Sequence, residues 1–187
     1  MNLNSREKIL AAAKRIAQAH GYGGLNFRDV ADEVGIKAAS VYHHFPSKAD
    51  LGAAVARRYW EDTEASLEAL LAEFPDPLHS LRHYPDTFRR ALANGNRMCL
   101  GSFMAAEHDD LPDAVKREVE TFSDINVAWL SRVLSTGSVI PPEASEKRAR
   151  AIFAALAGAQ LMARSRSDIA LYDASIESYR EAGLLPA

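Results

Sequence analysis

Cysteine is nearly absent from the 187 residues: Cys99 stands alone, so no disulfide can form within the chain. A single thiol fits a reducing compartment. Long apolar runs are missing too. The richest stretch, AIFAALAGAQLMA at residues 151–163, carries Gln160 and falls short of the ~20 residues a membrane helix needs. The first ten residues, MNLNSREKIL, lack the apolar centre of a secretory leader. These absences set the expectation of a cytoplasmic protein with no membrane partner. Period-two alternation and Asn-Gly turns between apolar runs are also lacking, which speaks against strands. No G-x-S-x-G, phosphate loop or dinucleotide fingerprint occurs. AAEHDD at residues 105–110 has no metal-ligand spacing such as H-E-x-x-H. The expectation is no enzyme, no cofactor and no metal.

What is present is the composition of a folded globular chain, with 48% hydrophobic and 25% charged residues. A net charge of −3 conceals an uneven distribution. The first 50 residues hold seven lysines and arginines against five acids, so the acidic surplus lies wholly in the remainder. His20, His43 and His44 also fall in that basic end. A basic end on an acidic body suits an anionic partner.

Helical signals run the length of the chain. Asn4 or Ser5 can cap a first helix, with Glu7 three residues after Asn4. Ile9, Ala13, Ile16 and Ala17 form its buried stripe, and Gly21 after His20 supplies a left-handed stop. Asn26 caps a second helix with Asp29 at its positive end. Phe27, Val30, Ala31 and Val34 make its apolar face, and Gly35 ends it. Ile36 reads as a buried plug. A short third helix is predicted over residues 38–45, stopped by Pro46. Ser47 and Asp50 cap a fourth that runs from 48 to about 74. Further helices are predicted over residues 78–93 with a break or bend near Pro85, then 98–108, 112–135, 143–164 and 169–182. Gly95, DDLP, TGSVIPP and RSRSD separate them.

Two short helices joined by a tight turn at Gly35 make a helix-turn-helix. Its second helix must enter a DNA major groove, so it needs a small or polar outer face. In KAASVYHHF, Val41 and Phe45 are one turn apart and point inward. Lys37, Ala38, Ala39, Ser40, Tyr42, His43 and His44 are left outside or at the rim. Alanine allows close approach and can touch a thymine methyl. Taken alone, a Tyr-His-His rim also fits plain solvated surface. Adjacent histidines on a helix diverge by about 100°, so His43 and His44 cannot share a metal without outside ligands.

The stretch FRDVADEVGIKAASVYHHFPSKADL resembles the DNA-binding signature of the TetR family of bacterial regulators. That signature is a capped helix, VA-x-x-x-G, a helix ending in [LIV]-Y-x-H-F, then [ST]-K-x-x-L. The likeness covers about residues 5–52. It implies an all-α fold: a three-helix helix-turn-helix DNA-binding module at 1–47 and a helical effector-binding and dimerisation domain at 48–187. It implies phosphate contacts for Tyr42, His43, His44 and Lys48, the last where a helix N-terminus attracts anions. Lys37, Ala38 and Ala39 take base-facing positions, with Ser40 on the outer face, and Arg28 meets the DNA backbone. Many members have Gly at the position of Ala39, and a basic residue or Pro at Ala38. Readout is therefore expected to lean on Lys37, methyl contacts and DNA shape. The implied function is a ligand-responsive regulator, usually a repressor. It binds an inverted-repeat operator in double-stranded DNA as a homodimer, and a small apolar or electrophilic effector releases it. A DNA-binding protein without effector and a small helical enzyme are the alternatives.

Beyond residue 50, apolar helical faces exceed what one thin bundle needs, so the body can enclose a small-molecule pocket. The polar insertions Tyr84, Asn126 and Gln160 lead the pocket candidates, joined by Phe88, Met98, Cys99, Phe103, Phe122 and Trp129. Plain core is the alternative for each. RARAIFAALAGAQLMA is rich in small residues and can pack against a second copy in a two-fold four-helix interface, or be buried within one chain. CLGSFMAAE resembles the CL…xAE stretch of one TetR branch, in which a cysteine can sense electrophiles. A nearby helix start and Arg97 favour a reactive thiol at Cys99. The preferred expectation is an inert, buried small hydrophobe.

Overall fold

A computed structural model of the chain describes residues 5–137 and 140–186. Among these residues ten α-helices and one 3-10 turn follow one another, with no strand. α1 (Ser5–His20) buries Ile9, Leu10, Ala12, Ala13 and Ala17, while Ile16 stays half-buried at the edge of the expected stripe. Asn4, one of its two candidate caps, lies outside the described residues, as do Ser138 and Val139 of the expected break TGSVIPP.

α2 (Phe27–Val34) begins where Asn26 Oδ1 accepts the Asp29 amide at 2.9 Å. It ends at Gly35, whose φ of 76° is costly for any residue with a Cβ. α3 (Ala38–His44) follows at once. Phe45 leaves it in an extended conformation with φ −137°, as the residue before Pro46 prefers. At the start of α4 (Lys48–Glu73), Ser47 Oγ accepts the Asp50 amide at 3.1 Å and donates to Asp50 Oδ2 at 2.7 Å.

Of the break or bend expected near Pro85 the structure has the break, between α5 (Pro77–His83) and α6 (Asp86–Ala93), since proline has no amide with which to continue a helix. α7 (Leu100–Ala106) is shorter than the predicted 98–108. At its start the Cys99 amide donates to Gln160 Oε1 at 2.9 Å. At its end the Glu107 amide reaches back only three residues, to Met104, and a 3-10 turn at His108–Asp110 follows. α8 (Asp113–Thr136), α9 (Pro142–Arg166) and α10 (Ile169–Glu181) complete the chain. Among the described residues no helix is long and apolar enough to cross a membrane.

The helices form two compact units, Met1–Asp62 with Leu100–Phe122, and Thr63–Cys99 with Ser123–Ala187. In the first, Leu25, Val30, Val41, Leu51 and Val115 are wholly buried. Ile36, expected as a buried plug, is only half-buried, because the exposed Gly35 turn carries it to the margin of this core. In the second, Leu81, Tyr84, Leu130, Ile152 and Leu156 are wholly buried. Here α6, α9 and α10 pack together, and the Tyr172 hydroxyl donates to the Pro85 carbonyl at 2.8 Å.

Candidate nucleic-acid interface

α3 presents one side to the core and the other to solvent. Val41 is 0% exposed and Phe45 3%, so the two inward anchors stand where their spacing put them. Fully burying a valine contributes roughly 1.5–3 kcal/mol, which holds a helix too short to persist alone. Lys37, Ala39, Ser40, Tyr42 and His43 are exposed, Ala38 and His44 half-buried. Arg28 is exposed on α2. The Tyr42 ring leans on Phe27, centroids 4.3 Å apart, yet remains 57% exposed. A hollow beside this face is lined by Asn26, Phe27, Arg28, Asp29, Ala38 and Tyr42. The His43 and His44 rings meet edge-on at 5.5 Å. Among the described residues no group of three His, Cys, Asp or Glu side chains gathers to hold a metal ion.

Lys48 has a duty within the protein that its sequence position did not reveal. Its ammonium donates to the Gly23 carbonyl at 3.0 Å and lies 4.6 Å from the centre of the Tyr22 ring. The other side of that turn is held by Glu107, whose carboxylate accepts the amides of Tyr22 and Gly23. Sequence reading missed Glu107. Its signals were the glycines of GYGGL and the closing acid of CLGSFMAAE, 84 residues apart.

The candidate pocket residues divide between the units. Phe103 and Phe122 belong to the first, where Phe122 packs on Tyr59 with centroids 5.3 Å apart. The other seven belong to the second. Tyr84, Phe88, Asn126 and Trp129 come together there: Tyr84 stacks on Trp129 at 5.5 Å, meets Phe88 at 6.0 Å and donates to Asn126 Oδ1 at 2.9 Å. Burial pushes the Tyr84 phenol well above its ordinary pKa, so it stays a donor. Trp129 is 4% exposed, and its indole N–H is buried with no acceptor among the described residues. Gln160 joins two backbones, accepting the Cys99 amide and donating to the Phe88 carbonyl at 2.8 Å. Met98 and Cys99 are buried at 5% and 3% exposure. Arg164 donates to the Asn96 carbonyl at 2.7 Å.

A short capped helix, a glycine turn and an exposed second helix form a helix-turn-helix, the arrangement found in DNA-binding regulators. The family model described as "Bacterial regulatory proteins, tetR family" matches residues 9–55. A TetR transcriptional regulator from Legionella pneumophila is similar in structure with a TM-score of 0.91 and 29% identity, over 97% of this chain and 99% of that one. A TetR-family regulator from Agrobacterium tumefaciens gives 0.86 and 29%, over 95% and 96%. The HTH-type transcriptional repressor NemR of Escherichia coli (strain K12) is 25% identical over 139 residues, 72% of this chain and 69% of that protein. Residues 9–55 thus match the tetR family model, and the fold of the chain is that of TetR-family regulators. Members of this family are transcription factors and not enzymes, and DNA binding and dimerisation belong to it at the level of the family.

Proposed function

We propose that the chain is a ligand-responsive repressor that binds an inverted-repeat operator as a homodimer and is released by a small apolar effector. The outer face of α3 is the observation that carries this reading. Lys37, Ala38 and Ala39 meet base edges, with Ser40 beside them. Tyr42, His43, His44, Arg28 and Lys48 hold phosphates. An ammonium has three donors and Gly23 takes one, so Lys48 keeps capacity for a phosphate. Residues 1–47 read the DNA, and 48–187 bind effector and dimerise.

Dimerisation is supported by α9, which exposes Ala151, Ala154, Gly158, Leu161 and Met162 along one stripe. Leu161 and Met162 are 59% and 57% exposed. A Cβ on Gly158 would meet open space, so alanine would fit and favour the helix by about 1 kcal/mol. A bare glycine at such a position suits close approach by the same stripe of a second copy. Two subunits then set two α3 helices about one DNA turn apart.

The effector reading rests on the cluster of Tyr84, Phe88, Asn126 and Trp129. An apolar molecule with one hydrogen-bond acceptor would satisfy the buried Trp129 donor, whose unmet bond costs roughly 1–3 kcal/mol. Release follows if the effector favours a state in which the two α3 helices no longer match the half-sites. Cys99, buried beside Gln160, serves packing in this scheme. Selection of bound duplexes from a random pool tests the function. The expected product is an inverted repeat; a pool that stays random after several rounds contradicts it.

A further inference from the structure

α7 ends against the turn between α1 and α2, and a single carboxylate makes the join. Glu107 Oε2 accepts the Tyr22 amide at 2.6 Å, and Oε1 accepts the Gly23 amide at 2.9 Å. Two successive amides aimed at one anion form a nest. The turn is shaped to admit that anion. Gly21 has φ 71°, and a Cβ there would lie 2.5 Å from both carboxylate oxygens. A Cβ on Gly23 would stand 3.3 Å from Oε1. Lys48 at the head of α4 grips the same turn through the Gly23 carbonyl and the Tyr22 ring. The turn is thus held by its amides from α7 and by its carbonyl from α4. Two residues after Gly24 comes Asn26, the cap of α2, which carries Arg28 and packs on α3.

We propose that Glu107 is a positioning residue for DNA binding: its carboxylate locks the α1–α2 turn, and with it the helix-turn-helix, in the arrangement that reads DNA. Hydrogen bonds weaken steeply as their angle departs from linear, so a small movement of the end of α7 frees both amides together. The latch is then the contact through which α7 releases the reading module. This inference rests on the proposed DNA-binding function and goes beyond it by naming the residue that holds the module in place.

The test compares full-length wild type, Glu107→Gln and Gly21→Ala on the duplex recovered by selection. Glutamine keeps the shape of glutamate but loses its charge and one acceptor oxygen. Amide hydrogen exchange reports the contact, fluorescence anisotropy the affinity, and thermal melting the fold. The expected result is exchange at Tyr22 and Gly23 faster by about tenfold or more in both variants, the loss of a charge-assisted bond. Operator affinity should fall by about tenfold, with the melting midpoint of Glu107→Gln close to wild type. Wild-type affinity in both variants would overturn the proposal, and so would unchanged protection of the two amides in Glu107→Gln. An affinity loss that merely tracks global unfolding would make Glu107 a stability residue and also overturn it. If the wild type itself enriches no duplex, the proposed function falls and takes this inference with it, an outcome distinct from any variant-specific one.

Discussion

Glu118 shows how one side chain ties stability to pH. It is 9% exposed, and its carboxylate accepts Arg57 Nη2 at 2.5 Å and Trp60 Nε1 at 2.8 Å. Burial pushes its pKa up, but the two donors outweigh burial and hold it below the usual 4.5. A carboxylate whose folded pKa is lowered adds stability above its unfolded value and loses it as pH falls through the folded one. Glu118→Gln is therefore expected to lower Tm at neutral pH and to lessen the fall of Tm below about pH 4.5. The effect is modest, because the Arg57 side chain is 61% exposed and water screens the pair. Calorimetry across pH checks it, and parallel curves for the two proteins would contradict it.

In the proposed function, single helices divide the labour of DNA contact. Lys37 stands at the head of α3, where a side chain can meet a base edge, and Arg28 stands in the first turn of α2. Lys37→Ala is expected to change which sequences are preferred. Arg28→Ala is expected to weaken binding evenly across sequences and to reduce the salt slope by about one unit. Repeating the selection with each variant and titrating salt on the product separates the two roles, and like behaviour would refute the division. Helices were largely legible from the sequence because their stops are local: Asn26, Gly35, Pro46, Ser47 and Pro85 all act within a few residues. The inward pair Val41 and Phe45 was legible for the same reason. The ends of α7 were not. Its start is set by Gln160, 61 residues away, and its exit leads into a carboxylate bound to amides 85 and 84 residues away. No periodicity records a bond of that span.

The all-helical build of the whole molecule was legible, and its grouping into compact units was not. Family resemblance and charge asymmetry both pointed to a basic reading end on an acidic body. Neither showed that Leu100–Phe122 joins the N-terminal residues in one compact unit, since that grouping comes from tertiary packing of α1 on α7. Paired reading of DNA by two copies is the claim on which the proposed regulator stands. It is tested most directly with two duplexes, the selected inverted repeat and the same repeat with about half a helical turn inserted between its halves. Sedimentation counts the chains bound and anisotropy measures the affinity. Two chains on the native spacing, and roughly a hundredfold weaker binding to the inserted duplex, are the expected results. One chain on each half-site, with affinity indifferent to the insertion, would contradict paired reading.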